Sequence, residues 1–288
     1  MSSMQSRTQT HSMVPTLGGA QLWADRRYRE GWRVQEHVIT GHHRLLDPND
    51  RRHAFGTLER CTDKLDRLQP HTHPADVVVL LHGLGRSRRS LAGIAAALEA
   101  AGHRTVRLDY PSTRRSLGAH VAQVLEVLAH LEGVGRVSFV THSLGGIVAR
   151  GVLASPRWPD GVEKGRVVMM APPNQGSALA RTFVNAVPTV FGGVVGPAGF
   201  EVARGVAFAE PCSPVMVIAG RPREGAGLNP LLDGEDDGVV CVEETKLSTM
   251  SEHVVVDALH TVIMDHPEAQ NAALRFLRIP SEFGTGGL

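Results

Sequence analysis

"RVSFVTHSLGGIVAR", residues 136–150, is the stretch on which the reading of the whole chain turns. "RVSFV" is a short, β-branched and aromatic run of the kind that forms a buried strand, and "GGIVARGVLA" after it reads as a helix. Ser143 falls where the two meet. It is either a nucleophile raised on a tight turn or an ordinary turn serine, and small neighbours alone do not decide between them. The decision needs a strand before, a helix after, and partners downstream in the right order.

The surroundings are regular from Ala75 onward. "DVVVLL" (residues 76–81) is an almost unbroken apolar run, as expected for a strand covered on both faces of a parallel sheet. "SLAGIAAALEAAGH" reads as a helix with Leu91, Ile94, Ala95 and Leu98 on one face and Gly102 as its stop. "RTVRLDY" is the next strand. "SLGAHVAQVLEVLAHLEG" places Leu117, Val121, Val124, Leu125, Leu128 and Leu131 along one side of a helix. Beyond the opening stretch come the strands "RVVMMA", "PVMVIAG" and "HVVVDA" and a last helix, "PEAQNAALRFLR". Alternating strands and helices imply right-handed crossovers and a mostly parallel sheet with helices on both faces: an α/β fold. The alternation breaks over residues 174–210, from Asn174 to Glu210, an apolar and glycine-rich stretch too long for a simple connection. It is expected to form a small cap over the sheet and to hold the substrate-binding residues.

Residues 1–74 differ in character. They are polar, rich in Arg and His, and read as an N-terminal extension, with the catalytic unit expected over residues 75–288. Residues 1–17 are expected to be disordered. Residues 23–47 suit one or two antiparallel strands that include Val34 and Val38. A short helix is expected over residues 55–68, with Phe55, Leu58, Leu65 and Leu68 as its apolar positions.

Composition narrows the function. Apolar residues make up 42% of the 288 and charged residues 20%, a globular balance, and the net charge of +1 advertises no nucleic-acid partner. Cys61, Cys212 and Cys241 are odd in number and widely spaced, which indicates neither a disulfide framework nor a zinc site. The first twenty residues lack the apolar core of a secretory signal, and no apolar run is long enough to span a membrane, so a cytoplasmic protein without an integral membrane segment is expected. Oligomeric state is not legible.

In an open α/β sheet, ligands bind outside the carboxyl ends of the strands, and Ser143 lies at such an end. Gly145 and Gly146 allow the close backbone approach that a sharp strand-to-helix turn demands. The same turn leaves the Leu144 N–H at a helix N-terminus, where it can stabilise a developing oxyanion. A serine hydroxyl needs a base within hydrogen-bond reach. His142 is adjacent, but neighbours across a tight turn point apart, so it is expected to pack beside the site. His82 follows the first strand of the sheet, in "LLHGLG". His260 follows the last, in "VVVDALHTVIM", and only it comes after an acid-bearing loop that itself follows a strand, "LLDGEDDGVV". The order serine, acid, histidine is that of the α/β-hydrolase arrangement.

With these residues in place, residues 76–278 resemble the α/β-hydrolase superfamily, in particular its bacterial lipase- and esterase-like members. "HGLG" (His82, Gly83, Leu84, Gly85) is similar to the family's oxyanion loop. "THSLGG" resembles its nucleophile elbow, "APPNQGSALA" the approach to a lid, "DDGVV" the acid loop and "LHTVIM" the histidine loop. The resemblance implies Ser143 as nucleophile, His260 as general base and acid, and Asp237 as the acid that orients it. It also implies that the Leu84 and Leu144 amides form the oxyanion hole, with His82, Gly83, His142 and Gly145 in support. The elbow departs from G-x-S-x-G, with Thr141 at the first position.

Competing assignments are structural. Glu235, Asp236 and Asp257 lie near the acid position, and Asp236 is the alternative to Asp237. "DGEDDG" lacks the spaced ligands of a calcium loop. His42 with His43, and His71 with His73, lack a third metal ligand and read as solvated loop residues. The chain therefore reads as a serine esterase or lipase acting on a small-molecule or lipid ester, without cofactor or metal. The alternatives are amide or acyl-transfer chemistry on the same triad and a non-catalytic binding module.

Overall fold

The computed structural model describes residues 19–69, 75–186, 188–205, 208–222, 225 and 227–278. The segment 1–17 and the pair His71 and His73 lie outside the described residues.

The extension folds as a sheet of its own. β1 (Trp23–Arg29), β2 (Trp32–His37), β3 (His43–Leu46) and β4 (Arg52–Gly56) pair antiparallel in chain order. Three of these strands lie where the sequence suggests one or two. The pattern is hidden because several inward positions are polar: Asp25, Arg33 and Gln35 are all buried. They are buried together. Gln35 Nε2 donates to Asp25 Oδ1 at 2.8 Å, the Asp109 amide donates to Asp25 Oδ2 at 2.6 Å, and Arg33 reaches Asp109 at 3.0 Å. Polar groups satisfied by one another can occupy a core, and residue type then misreports which face is inside. Burial raises the Asp25 carboxyl to about 6 although Arg33 opposes it.

α1 (Leu58–Leu68) starts later than expected because Gly56, at φ +136°, ends β4 and Thr57 caps the helix by accepting from the Arg60 amide at 3.2 Å. Phe55 belongs to β4 and is exposed, as is Leu68; Cys61 and Leu65 face Val34 and Leu45 instead. His42 is not a solvated loop residue. It stacks on His37 and packs against Trp23 and Phe55.

The main sheet comprises β5 (Val77–Leu81), β6 (Arg104–Leu108), β7 (Arg136–His142), β8 (Glu163–Met170), β9 (Val215–Gly220) and β10 (Glu252–Val256). Its order is β10-β9-β8-β7-β5-β6, and every pair is parallel. Side-chain alternation makes two cores. Val77, Val79 and Leu81 point to one and Val78 and Leu80 to the other, which is why "VVVLL" reads as unbroken.

α3 (Leu117–Ala129) and α4 (Leu144–Leu153) cover the first core; α2 (Ala92–Ala100) and α7 (Pro267–Leu277) cover the second. The chain leaves β5 toward the β6 edge, then returns past β5 to β7. The sheet's switch point therefore lies between β5 and β7, where a crevice forms at the carboxyl ends. Residues 178–204 supply α5 (Ala178–Ala186) and α6 (Pro188–Arg204). α6 is broken at Gly196 (φ 69°), next to Pro197, where a side chain would collide with the Thr113 carbonyl. Among the described residues no helix is long and apolar enough to cross a membrane.

The two sheets are tied together at the end of β6. Asp25 N donates to Asp109 O at 3.0 Å, and Gln123 Nε2 donates to both Asp25 O and Asp109 O at 3.1 and 2.9 Å.

Candidate active site

Ser143 stands between the last residue of β7 and the first of α4, with φ 51° and ψ −121°. Such a conformation costs a non-glycine residue about 1–3 kcal/mol and persists only where the surroundings impose it. Here they do. The Ser143 amide donates to Met170 O at 2.9 Å, and its carbonyl accepts from Gly146 N at 2.9 Å. A Cβ on Gly145 would lie 2.3 Å from Leu81 O, so glycine lets α4 start directly against β5. A Cβ on Gly83 would lie 2.8 Å from His142 Nδ1 and 3.2 Å from Ser143 Cβ. Thr141 fits where glycine is usual because its hydroxyl donates to Val168 O at 3.3 Å and the side chain is wholly buried.

His260 and Asp237 are brought together from two loops. Nδ1 of His260 donates to Asp237 Oδ2 at 2.8 Å, and the His260 amide donates to Asp237 O at 3.0 Å. Asp237 Oδ1 accepts from the Val239 and Val240 amides at 3.0 and 2.8 Å. Its neighbours are used differently. Asp236 accepts from the Leu228, Asn229 and Gly238 amides, and Glu235 pairs with Arg221 at 3.0 Å; both brace the loop. Asp257 is exposed. Gly220, at the end of β9, was not singled out by the sequence pattern, yet a Cβ there would meet Asp237 Cβ at 2.9 Å and Ala258 O at 2.5 Å.

Two further histidines pack beside the site, and His142 lines its cavity. His142 Nε2 donates to His260 O at 2.9 Å, which fixes its tautomer and ties β7 to the histidine loop. Burial, reinforced by the His260 and Arg86 charges, holds His142 far below the usual imidazole range. His82 is fully buried, stacks on Tyr110 with ring centres 4.1 Å apart, and donates from Nδ1 to Gly83 O at 2.8 Å. Burial lowers its protonation too.

A cavity of about 330 Å³ opens over Ser143 and His260, within the usual range for a small-molecule site. Leu84 and Leu144 both line it, and Leu144 opens α4, so its N–H has no partner within the helix. The stretch from Asn174 to Glu210 contributes Ser177, Leu179, Ala180, Val195, Gly199 and Val202 to the wall. Asn174 and Glu210 themselves do not line it. Asn174 Nδ2 donates to Thr245 O at 2.7 Å, and Glu210 accepts from Ser248 and Thr249.

The extension reaches the site through Gln21, which carried no signal in the sequence. Its Nε2 donates to Arg86 O at 2.8 Å, while Oε1 accepts from the Thr113 amide at 2.9 Å and from the Ser112 hydroxyl at 3.2 Å. Ser112 Oγ in turn accepts from Gly85 N at 2.9 Å, so the loop carrying Leu84 is held from outside the main sheet.

Among solved structures, the chain is similar to the mature form of the lipase BlEst2 from Bacillus licheniformis. The two are 18% identical, with 73% of this chain and 95% of that one covered and a TM-score of 0.57. The propeptide form of the same lipase is likewise 18% identical, with 76% of this chain and 54% of that one covered and a TM-score of 0.58. At this identity the likeness is one of fold. No curated protein sequence matches the chain. The sequence profile of the alpha/beta hydrolase family matches residues 78–273, spanning both the Ser143 turn and the loops of Asp237 and His260. The chain belongs to the alpha/beta hydrolase family.

Proposed function

We propose that the protein is a serine hydrolase of carboxylic esters. One observation carries the reading: the buried Asp237–His260 hydrogen bond of 2.8 Å belongs to a histidine that lines the same cavity as a serine held at φ 51° on a strand-to-helix turn. Because Nδ1 donates to Asp237, the Nε2 of neutral His260 carries the lone pair and can accept a proton. Ser143 Oγ attacks the ester carbonyl while His260 Nε2 takes its proton. The carbonyl oxygen, now an oxyanion, accepts from the Leu84 and Leu144 amides. His260 then protonates the departing alcohol, leaving an acyl group on Ser143. Water activated by the same histidine releases the acid and restores the serine. Asp237 holds the imidazole in the productive tautomer and stabilises its charged form. No cofactor enters these steps.

The apolar wall from α5 and α6 supplies the acyl surface, in keeping with a cap over the serine, and a small-molecule or lipid ester is the substrate class that suits it. Hydrolysis of p-nitrophenyl esters from acetate to palmitate tests the reading. Turnover that peaks at one chain length and disappears in Ser143→Ala supports it. Equal inertness of both proteins on every ester removes it.

A further inference from the structure

Arg86 lines the same cavity as Ser143 and His260. Its main chain is held on both sides: the amide donates to Gly83 O at 3.2 Å and the carbonyl accepts from Gln21 Nε2 at 2.8 Å. The side chain thus projects from a fixed point. It is half-buried, and among the described residues its guanidinium has no hydrogen-bond or ion-pair partner.

Asp50, the carboxylate bound by the neighbouring arginines Arg88 and Arg89, is already taken. Arg88 reaches Asp50 at 2.6 Å and Arg89 reaches it at 2.9 Å. The cavity wall offers no alternative among the described residues, because its remaining residues there are apolar, hydroxyl-bearing or histidine, with no Asp or Glu. The charge is felt there, since it acts with burial to disfavour protonation of His82 and His142. A cation set against an apolar wall without a counter-ion gives up solvation for nothing in the free protein. A planar guanidinium recovers that loss by bidentate pairing with a carboxylate or phosphate.

We infer that Arg86 is a specificity-determining residue that binds an anionic group of the substrate, so that preferred esters carry a carboxylate or phosphate close to the scissile bond together with an apolar chain. The inference rests on the ester-hydrolase reading for its reaction; the binding of the anion does not. The apolar wall takes the chain, Arg86 takes the charge, and the ester lies between them over Ser143.

Two matched pairs separate the sources of charge. One is p-nitrophenyl hexanoate against mono-p-nitrophenyl adipate; the other is 1-decanoylglycerol against 1-decanoylglycerol 3-phosphate. In at least one pair, kcat/KM of the wild type should favour the charged member by about tenfold or more, as expected for a charge-assisted hydrogen bond in a half-buried site. Arg86→Gln should erase most of that ratio, and Arg86→Lys should keep part of it. A preference for the neutral member in both pairs overturns the inference. So does a charged-over-neutral ratio that survives Arg86→Gln, including the case in which both members slow equally because Arg86 serves only the oxyanion.

Binding of decyl phosphate and decyl hemisuccinate to Ser143→Ala, with decanol as the neutral reference, gives an arm that needs no turnover. Charged ligands that bind no more tightly than decanol, or bind equally with and without Arg86, refute it. Preferential binding lost in Ser143→Ala/Arg86→Gln supports it even if no ester is cleaved, in which case only the ester reading has failed.

Discussion

Replacing Asp237 by asparagine isolates the orientation of His260 from everything else at the site. The two carboxylate oxygens have different partners. Oδ1 accepts from the Val239 and Val240 amides at 3.0 and 2.8 Å, and Oδ2 accepts from His260 Nδ1 at 2.8 Å. An asparagine that turned its NH2 toward the two amides would lose both bonds and face donors with a donor, at about 1–3 kcal/mol for each group left unsatisfied. It therefore keeps its oxygen on the amides and presents NH2 to His260. The side chain is 1% exposed, so water cannot relieve the mismatch.

Nδ1 must then accept, which puts the imidazole proton on Nε2, facing the cavity, where it cannot receive the Ser143 proton. On a triad of this kind the wrong tautomer lowers kcat by about 10⁴, or ~5 kcal/mol of transition-state stabilisation. Neither neighbouring acid can substitute, since Asp236 is engaged by three amides and Glu235 by Arg221. The assay is kcat on the best p-nitrophenyl ester, with circular dichroism and a thermal melt to show that the fold is intact. A folded Asp237→Asn protein within about tenfold of the wild type would refute the reasoning.

Three further outcomes are expected. Gly145→Ala should place a methyl 2.3 Å from Leu81 O, with backbone on both sides of the clash. We expect a loss of about 3 kcal/mol, a fall of roughly 6–12 °C in Tm by calorimetry, and an unchanged Tm would show that α4 can slide. Gln21→Ala should remove the anchor of the Leu84 loop and lower kcat/KM by about 10- to 100-fold with a smaller effect on Tm, whereas lost stability with full activity would make the extension a brace only.

Acid should destabilise the fold. Burial lowers His120 to about 4 and also depresses His82 and His142, so on unfolding each binds a proton between its native value and the unfolded value of 6.5. Stability is then lost as pH falls below 6.5, with His120 alone contributing about 3 kcal/mol by pH 4. Asp25, raised to about 6, works in the opposite direction over roughly the same window, but as one group against three. Urea midpoints that stay level from pH 7 to pH 4 would contradict this.

Most of the main sheet was legible because its strands are apolar on both faces and its helices carry one apolar stripe. Leu91, Ile94, Ala95 and Leu98 are all buried as the helical spacing requires. The strand-to-helix turn at Ser143 and the place of His260 after the last strand were legible because a sharp turn and an ordered set of loop residues leave a local mark. The choice of Asp237 over Asp236 was not local. It depends on which carboxylate the 235–242 loop turns toward His260, and that is set by the amides of Leu228, Asn229 and Gly238 taking Asp236. The extension misled the reading for a related reason, since Asp25, Arg33 and Gln35 look like surface residues until their partners at residues 50 and 109 are known. Gln21 left no periodic trace because it acts through contacts at residues 86, 112 and 113, far away in sequence.

The central claim, that Ser143 is the nucleophile of an Asp237–His260 pair, is tested most directly with an alkyl fluorophosphonate, which traps an activated serine without requiring the right ester. The folded protein should gain the mass of one phosphonyl group, mapped by peptide sequencing to Ser143, and the adduct should be absent in Ser143→Ala and slow to form in Asp237→Asn. A folded protein that stays unlabelled, or carries the label on another residue while Ser143→Ala still hydrolyses esters, would contradict the account.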